Sequence, residues 1–526
     1  MTAPRVALIF PPLWYFDAVP ADLSYPTGAL KQAGASVLSL DLSSAMTAAL
    51  LPEPTAALQQ PETYQTLAAQ RQAAADLNRE AAAVAARFQV DYRPRRLWFP
   101  DIDEGSIPAL LRVGLDPHRN PALPMLVDAV QSILAFKPSL VGIALVHPDQ
   151  RAHALVLGRL LRRSAFQGTI ALYGSYEDVI TPEDFAADLP GQPRHHLFHD
   201  FNGVIVGESE SALVALATGS PDVPNWFTPD RTDLPPRFNE DLTGLTPDFS
   251  FVQPAHHTTP QPVVDLRLGR GCPWGRCAFC AIQAHQVGYR AGPVERLIEA
   301  MELAHVQLGT RHFRIRDDLL TPQQLRQLGD GLAGRGFHWT ARARFQSALT
   351  HSVLVSAAAG GLSELWLGLE SAVARVRDSM DKGVTQAVIL QNLKDAKDAA
   401  VPLRALCLVG FPGETLPEAH ETIRFVAEHN AAFIGASLTG FMLTRRSPMA
   451  QQLDARGLGV LPDPVPRWQR LRHTLELEPE GHLGTAITQR LLHETTQAWR
   501  PLLQRLAGPS PTHDWLGQLV RGPTSS

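Results

Sequence analysis

The sequence predicts an α/β protein: a doubly wound parallel sheet first, then a partial barrel of six βα units, then a small helical C-terminal region. Three observations predict it. Short apolar runs at 5–10, 36–42, 140–146, 169–173 and 203–206 have strand length and no polar alternation, the pattern of strands covered on both faces. Helical stretches such as 152–163 and 209–217 lie between or after them, the alternation that builds parallel sheets. From 263 a second series begins, with strands at 263–268, 311–316, 338–342, 365–369, 403–409 and 433–442, and helices at 294–308, 322–333, 384–400 and 416–430. Six units fall short of the eight of a closed barrel.

The elements sort into domains. Residues 1–222 form the first, a Rossmann-like domain with a helical insertion at about 43–138. Within the insertion, 60–88 is rich in Ala, Gln, Glu and Arg and predicts one or two helices. Residues 223–262 are rich in Pro, Asp and Thr and predict a linker. The barrel occupies 263–449. Residues 450–526 predict a helical appendage, with helices near 467–475 and 486–506 and a frayed end at 521–526.

Composition excludes several classes. At ~100–200 residues per domain, 526 residues suggest about three domains. With 45% apolar residues the chain is not disordered as a whole. Lys and Arg number 47 against 52 Asp and Glu, a net charge of −5, which does not suggest a basic face for nucleic acid. No apolar run nears the ~20 residues that span a bilayer, and the first apolar run is too short for a signal sequence. The expectation is a cytoplasmic protein with neither a membrane nor a nucleic-acid partner.

Four cysteines exclude a disulfide scaffold. Cys407 falls mid-strand in an apolar run and reads as core. Cys272, Cys277 and Cys280 share the loop Gly269-Arg270-Gly271-Cys272-Pro273-Trp274-Gly275-Arg276-Cys277-Ala278-Phe279-Cys280, after the first strand of the barrel. Strand ends are where such folds place active sites. Three thiolates at Cys-x4-Cys-x2-Cys spacing can hold three irons of a four-iron cluster and leave the fourth open to a substrate. A structural zinc site with His285 as fourth ligand, or three free buried cysteines, are the alternatives. His195, His196 and His199 follow Pro193 in a polar stretch and read as a solvated turn.

The loop and its downstream motifs resemble the radical S-adenosylmethionine (SAM) superfamily over about 263–449, with one residue more than usual between the first two cysteines. Phe279 matches the aromatic position near the SAM adenine. Tyr289-Arg290 resembles the segment after the cluster loop. Phe313-Arg314-Ile315-Arg316-Asp317-Asp318 resembles the second strand with its acidic end. Trp366-Leu367-Gly368-Leu369-Glu370-Ser371 resembles the fourth-strand motif whose polar pair faces the SAM ribose or amino acid. Met380-Asp381-Lys382-Gly383 resembles the following linker, and Val409-Gly410-Phe411-Pro412-Gly413-Glu414-Thr415 the loop after the fifth strand. The resemblance implies a 4Fe-4S cluster on Cys272, Cys277 and Cys280. It also implies SAM contacts from Phe279, Asp317, Arg342, Glu370, Ser371, Gly410 and Gly413, with Arg344 beside Arg342 as a further partner for the carboxylate.

The first domain resembles the cobalamin-binding domain that precedes many radical SAM enzymes. Phe10-Pro11-Pro12, Tyr25-Pro26-Thr27-Gly28, Lys137-Pro138 through Gly142-Ile143, Tyr173-Gly174-Ser175 and Val206-Gly207-Glu208-Ser209 carry the likeness. It implies cobalamin contacts at Pro12, Gly28, Gly142, Gly174, Gly207 and Glu208. The loop at 11–17 lacks the cobalt-binding His of many such domains, so the lower cobalt face is left to Trp14, Tyr15 or Phe16, or to His147. Together the resemblances imply a methyltransferase acting on an unactivated carbon through a 5′-deoxyadenosyl radical and methylcobalamin. They also imply a small-molecule or peptide substrate and an electron donor such as flavodoxin or ferredoxin. Another radical rearrangement or cyclisation, with or without cobalamin, is the alternative, and a cobalamin carrier or sensor is the non-enzymatic one.

Overall fold

The computed structural model describes residues 3–13, 18–93, 96–174, 193–231, 238, 242–282, 288–478, 487, 488 and 490–492. The chain divides into two compact units. One takes residues 1–264 with 306–310 and 463–473; the other takes 265–305, 311–462 and 474–526.

The first unit is a doubly wound sheet. Its strands are β1 (Arg5–Phe10), β2 (Ser36–Asp41), β3 (Leu140–Ala144), β4 (Thr169–Gly174), β5 (Gly203–Val206) and β6 (Trp226–Phe227). The order is β2-β1-β3-β4-β5-β6. The first five pair in parallel and β6 is antiparallel at the edge. All of β3 and all of β1 except Arg5 are buried, as continuous apolar runs require. The chain goes one way from β1 to β2 and the other way to β3, so the switch point lies between β1 and β3, where such sheets bind ligands. There Gln150 Nε2 donates to the Pro11 carbonyl at 2.9 Å, and the His153 ring lies 2.8 Å from the Pro12 carbonyl. Burial lowers the His153 pKa to about 4, so it holds this contact as a neutral ring.

Two expectations need correction here. The stretch expected to be a linker packs onto the first unit. Trp226 and Phe227 form β6, Phe249 is buried, and Lys31 of α1 (Ala21–Gln32) pairs with Asp248 at 2.9 Å. Its few aromatics carry burial that the Pro- and Asp-rich composition hides. The stretch at 195–199 is not simply a solvated turn, because His195 is buried. Its Nδ1 accepts from the Leu197 N–H at 3.3 Å, its Nε2 lies 3.1 Å from the Arg470 carbonyl, and burial pushes its pKa down to about 3. The insertion holds one long helix, α2 (Leu67–Phe88), which Thr66 caps through the Ala69 N–H.

The six strands expected after residue 262 are present: β7 (Val263–Leu266), which enters the second unit at Asp265, then β8 (His312–Ile315), β9 (His338–Ala343), β10 (Leu362–Glu370), β11 (Leu403–Val409) and β12 (Phe433–Gly440). They lie in the order β12-β11-β10-β9-β8-β7, each beside its neighbour in sequence. Helices α3 (Val294–Leu308), α4 (Pro322–Leu332), α5 (Gln386–Asp398) and α6 (Leu416–Glu428) make the crossovers expected. Capping boxes at Thr321 and Thr415 start α4 and α6. Two short helices, His351–Ala359 and Ala374–Ser379, are additional.

The helix expected at 467–475 is absent. Arg467–Gln469 is a single turn, and Thr474–Leu475 is a strand paired with Leu443–Thr444. Arg470 and Arg472 both reach Asp463, at 3.0 and 3.3 Å, and Arg470 also donates to the Val465 carbonyl. These side chains fold the segment back on Asp463 and Val465. The expected helix at 486–506 and the frayed end lie largely outside the described residues.

Candidate functional site

The site grows from the carboxyl end of β7. Gly269–Arg270 leaves that strand and pairs antiparallel with Arg290–Ala291, closing the base of the cysteine loop. Gly271, just before the first cysteine, and Gly275, between the first two, take φ of 81° and 61°, which lets the chain turn there. Two backbone bonds then fix the far side: the Ala278 N–H donates to the Met380 carbonyl, and the Met449 N–H to the Ala278 carbonyl, both at 2.9 Å. Ala278 is buried with Val376, Met380, Phe411, Leu443 and Met449, and Phe279 packs half-buried against that group.

Trp274 is the clamp that sequence reasoning missed. Its indole N–H donates to the Asp381 carbonyl at 2.9 Å. Its ring lies where a Cβ on Gly383 would be, and Gly383 has φ 58°. The Arg344 guanidinium sits 3.7 Å over the same ring, in cation–π geometry, and donates to the Lys382 carbonyl at 2.5 Å. The signal was present in the sequence: a bulky ring between two cysteines, and a Met-Asp-Lys-Gly turn ending in glycine.

None of the three cysteines is in a disulfide, and all three are partly buried. Burial raises the Cys277 thiol pKa and pushes Cys280 up to about 12, with neighbouring cysteines adding to both. Neither thiol ionises at neutral pH without a cation, and bound iron is such a cation. Among the described residues no His, Cys, Asp or Glu group forms a set for a single metal ion. A four-iron cluster does not ask for one, because each thiolate binds its own iron. The donor chemistry therefore fits a cluster. His285, the alternative fourth ligand, lies outside the described residues.

The other expected contacts divide. Asp317 is buried at the end of β8; one carboxyl oxygen accepts the Leu268 N–H at 2.8 Å and the other has no partner. Burial pushes its pKa to about 7. Glu370, at φ 59°, ends β10 just past a register shift, and pairs with Lys382 at 2.9 Å. Arg342 lies half-buried beside Trp366. Gly410 and Gly413 take φ of 84° and 81°, and Glu414 Oε2 accepts the Gly410 N–H at 2.7 Å, while burial pushes Glu414 to about 7. Ser371 turns inward: its hydroxyl lies 3.2 Å from the Thr422 hydroxyl and accepts the Val373 N–H. Cys407 is buried in β11, as expected.

In the first unit Pro12 follows β1 and Gly207, at φ 93°, follows β5, with Glu208 buried beside it. Gly28 faces the Thr246 carbonyl, Gly174 the Leu145 carbonyl, and Gly142 the side chains of Leu8, Tyr173 and Leu213. Packing within the unit accounts for those three glycines. His147 caps a short turn through the Asp149 N–H at 3.3 Å. Trp14, Tyr15 and Phe16 lie outside the described residues.

Comparison with solved structures places this fold. The radical SAM methyltransferase TsrM from Kitasatospora setae, in a complex with tryptophan substrate and a SAM analog, matches with a TM-score of 0.60 at 13% identity, over 96% of this chain and 90% of that one. The cobalamin-dependent SAM radical enzyme OxsB, with aqua-cobalamin and SAM bound, matches with a TM-score of 0.57 at 12% identity, over 94% of this chain and 66% of that one. The chain shares the fold of these two enzymes. In sequence, an uncharacterized methyltransferase of Pyrococcus horikoshii is 31% identical over 166 residues, 30% of this chain and 36% of its own. The bacteriochlorophyllide d C-12(1)-methyltransferase of Chlorobaculum tepidum is 23% identical over 286 residues, 52% of this chain and 58% of its own. The chain thus spans a third to three-fifths of the curated relatives it matches, and no family model matches it. Among the described residues no helix is long and apolar enough to cross a membrane.

Proposed function

We propose that this chain is a cobalamin-dependent radical SAM enzyme, a methyltransferase acting on an unactivated carbon of a small-molecule or peptide substrate in the cytoplasm. One observation carries the reading. Three thiols sit on a loop at the carboxyl end of the first barrel strand, pinned by Met380 and Met449 and clamped through Trp274. The fold shared with TsrM and OxsB supports it. When bound, the cluster and SAM supply one-electron chemistry that generates a carbon radical, and cobalamin supplies the methyl group.

This chain's own residues then have defined tasks. Cys272, Cys277 and Cys280 hold the cluster. Phe279 offers an apolar wall. Glu370 retains a carboxylate oxygen to accept from ribose hydroxyls, and Asp317 has one unpartnered oxygen. Gly410 and Gly413 leave backbone bare for close approach, and Arg342 is the carboxylate partner. Ser371 serves the backbone turn rather than a ligand. In the first domain, residues 1–222, cobalamin is assigned to the carboxyl ends of the strands, from Pro12 at the switch point to Gly207 and Glu208 after β5, with the barrel as residues 263–449. Electrons come from a one-electron donor of the flavodoxin or ferredoxin class.

The test is anaerobic reconstitution with iron, sulfide and hydroxocobalamin, then desalting, absorbance spectra and iron counting. About four irons per chain with retained cobalamin is the expected result. Cys277→Ala should lose most of the iron while keeping the far-ultraviolet circular dichroism of the wild type. Wild type without iron, unchanged by Cys277→Ala, would remove the enzymatic reading and leave a cobalamin carrier. Iron without cobalamin would leave radical SAM chemistry of another kind.

A further inference from the structure

Beside the cysteine loop lies a buried ion pair. Lys382 Nζ and Glu370 Oε1 are 2.9 Å apart, and their side chains are 11% and 13% exposed. The pair rests on Gly368: a Cβ there would lie 2.6 Å from Glu370 Oε1 and 2.8 Å from Lys382 Nζ. The bare backbone of Gly368 is the space the pair occupies. Gly368 and Glu370 of β10 and Lys382 of the turn that follows are thus held in one place, and that turn is the one clamped by Trp274 and Arg344.

The charges of this group fall on the thiols. Both Lys382 and Glu370 act on Cys277, with Lys382 the stronger. Arg344 lies within reach of Cys277 and Cys272. The turn that carries Lys382 is hydrogen-bonded to the loop on either side of Cys277, through the Ala278 N–H to Met380 and the Trp274 indole to Asp381, so these charges are fixed beside that thiol. The potential of an iron–sulfur centre follows its net charge, the groups around its sulfurs and its exposure. A fixed cation favours the state carrying one more electron; a fixed anion disfavours it.

We propose that Lys382, assisted by Arg344 and opposed by Glu370, is a positioning residue that sets the reduction potential of the cluster held by Cys272, Cys277 and Cys280. This rests on the cluster assigned to those cysteines under the proposed function. The couple is a one-electron one: an external low-potential donor gives up the electron, the oxidised cluster takes it, and the ammonium of Lys382 offsets the added negative charge. Gly368 keeps the pair seated.

The experiment is a mediated redox titration of the reconstituted holoprotein without SAM, followed by electron paramagnetic resonance, with iron counted in every sample. Removing Lys382 alone is ambiguous, since it also takes away the partner that holds the Glu370 carboxylate, which can then shift relative to the thiols. Glu370→Gln is therefore the reference. It should raise the potential above wild type. Adding Lys382→Met in that background, where no carboxylate remains to respond, should make reduction about tenfold less favourable, which is about 59 mV for one electron. Glu370→Gln with Lys382→Arg should stay near Glu370→Gln alone. Equal potentials in all iron-replete variants would overturn the proposal. So would a fall in both the single and the double variant, since a disturbed loop moves both the same way and a charge does not. A wild type that binds no iron fails the cluster reading itself, a result distinct from iron-replete variants whose potentials do not move.

Discussion

At the scale of single residues, the buried carboxyl of Asp317 is the least comfortable group near the cysteine loop. It is buried, keeps one hydrogen bond from Leu268, and leaves its second oxygen unpartnered. Burial raises its pKa from 3.8 to about 7. Between those values the folded chain holds a proton that the unfolded chain has released. Stability from this group is present at acid pH and falls as pH rises toward 7. Asp317→Asn keeps the acceptor for Leu268 and removes the titration. In cluster-free protein, its stability relative to wild type should improve between pH 5 and pH 8 by about 1–3 kcal/mol. Urea midpoints at the two pH values check this; the same difference at both would show that the carboxyl does not titrate in that window. Glu370 strains in another way. A positive φ is uncommon for a residue with a side chain, and here the ion pair to Lys382 offsets the cost of about 1–3 kcal/mol.

At the scale of elements, strands such as β1 and β3 were legible because each is an apolar run with nothing to confuse it. The cysteine loop was legible because few reasons other than a metal bring three cysteines within nine positions. What supports the loop was not. Trp274 meets Gly383 more than a hundred positions away, and Lys382 meets Glu370 across the short helix Ala374–Ser379, so neither contact leaves a periodic trace. The failed helix at 467–475 has a similar cause, since nothing in the sequence marks that Arg470 and Arg472 are claimed by Asp463 in space. The loop's support makes a prediction. Gly383→Ala places a methyl group into the Trp274 ring at a φ of 58°. One of the two must move, and Trp274 carries Arg344 with it. The variant should take up iron yet release it to a chelator about tenfold faster than wild type, the order of a 1.4 kcal/mol loss of loop stability. Stopped-flow loss of the cluster absorbance measures it; an unchanged rate would mean that Trp274 does not hold the loop.

At the scale of the whole molecule, the boundary of the first unit is the point where sequence and structure part most. Composition places its end at 222, because residues 223–262 are rich in Pro, Asp and Thr. Contacts place it later. Trp226 and Phe227 add an antiparallel edge to the sheet, and Phe249 is 1% exposed. The Thr246 carbonyl fills the face of Gly28, and Asp248 holds Lys31. A few large rings thus outweigh many polar positions, which is why average composition misjudged the segment. Burying three aromatic side chains contributes about 1.5–3 kcal/mol each, about 6 kcal/mol in all. That is comparable with the whole stability of an ordinary domain, about 5–15 kcal/mol. A fragment ending at 222 should accordingly lose cooperative unfolding and bind a hydrophobic dye. One ending at 262 should keep a urea transition with a steeper slope, since it exposes more surface on unfolding. Both lack 463–473, so the comparison isolates 223–262. If the two fragments unfold alike, the rings at 226, 227 and 249 lie on a sheet that does not need them, and the unit ends where the composition changes.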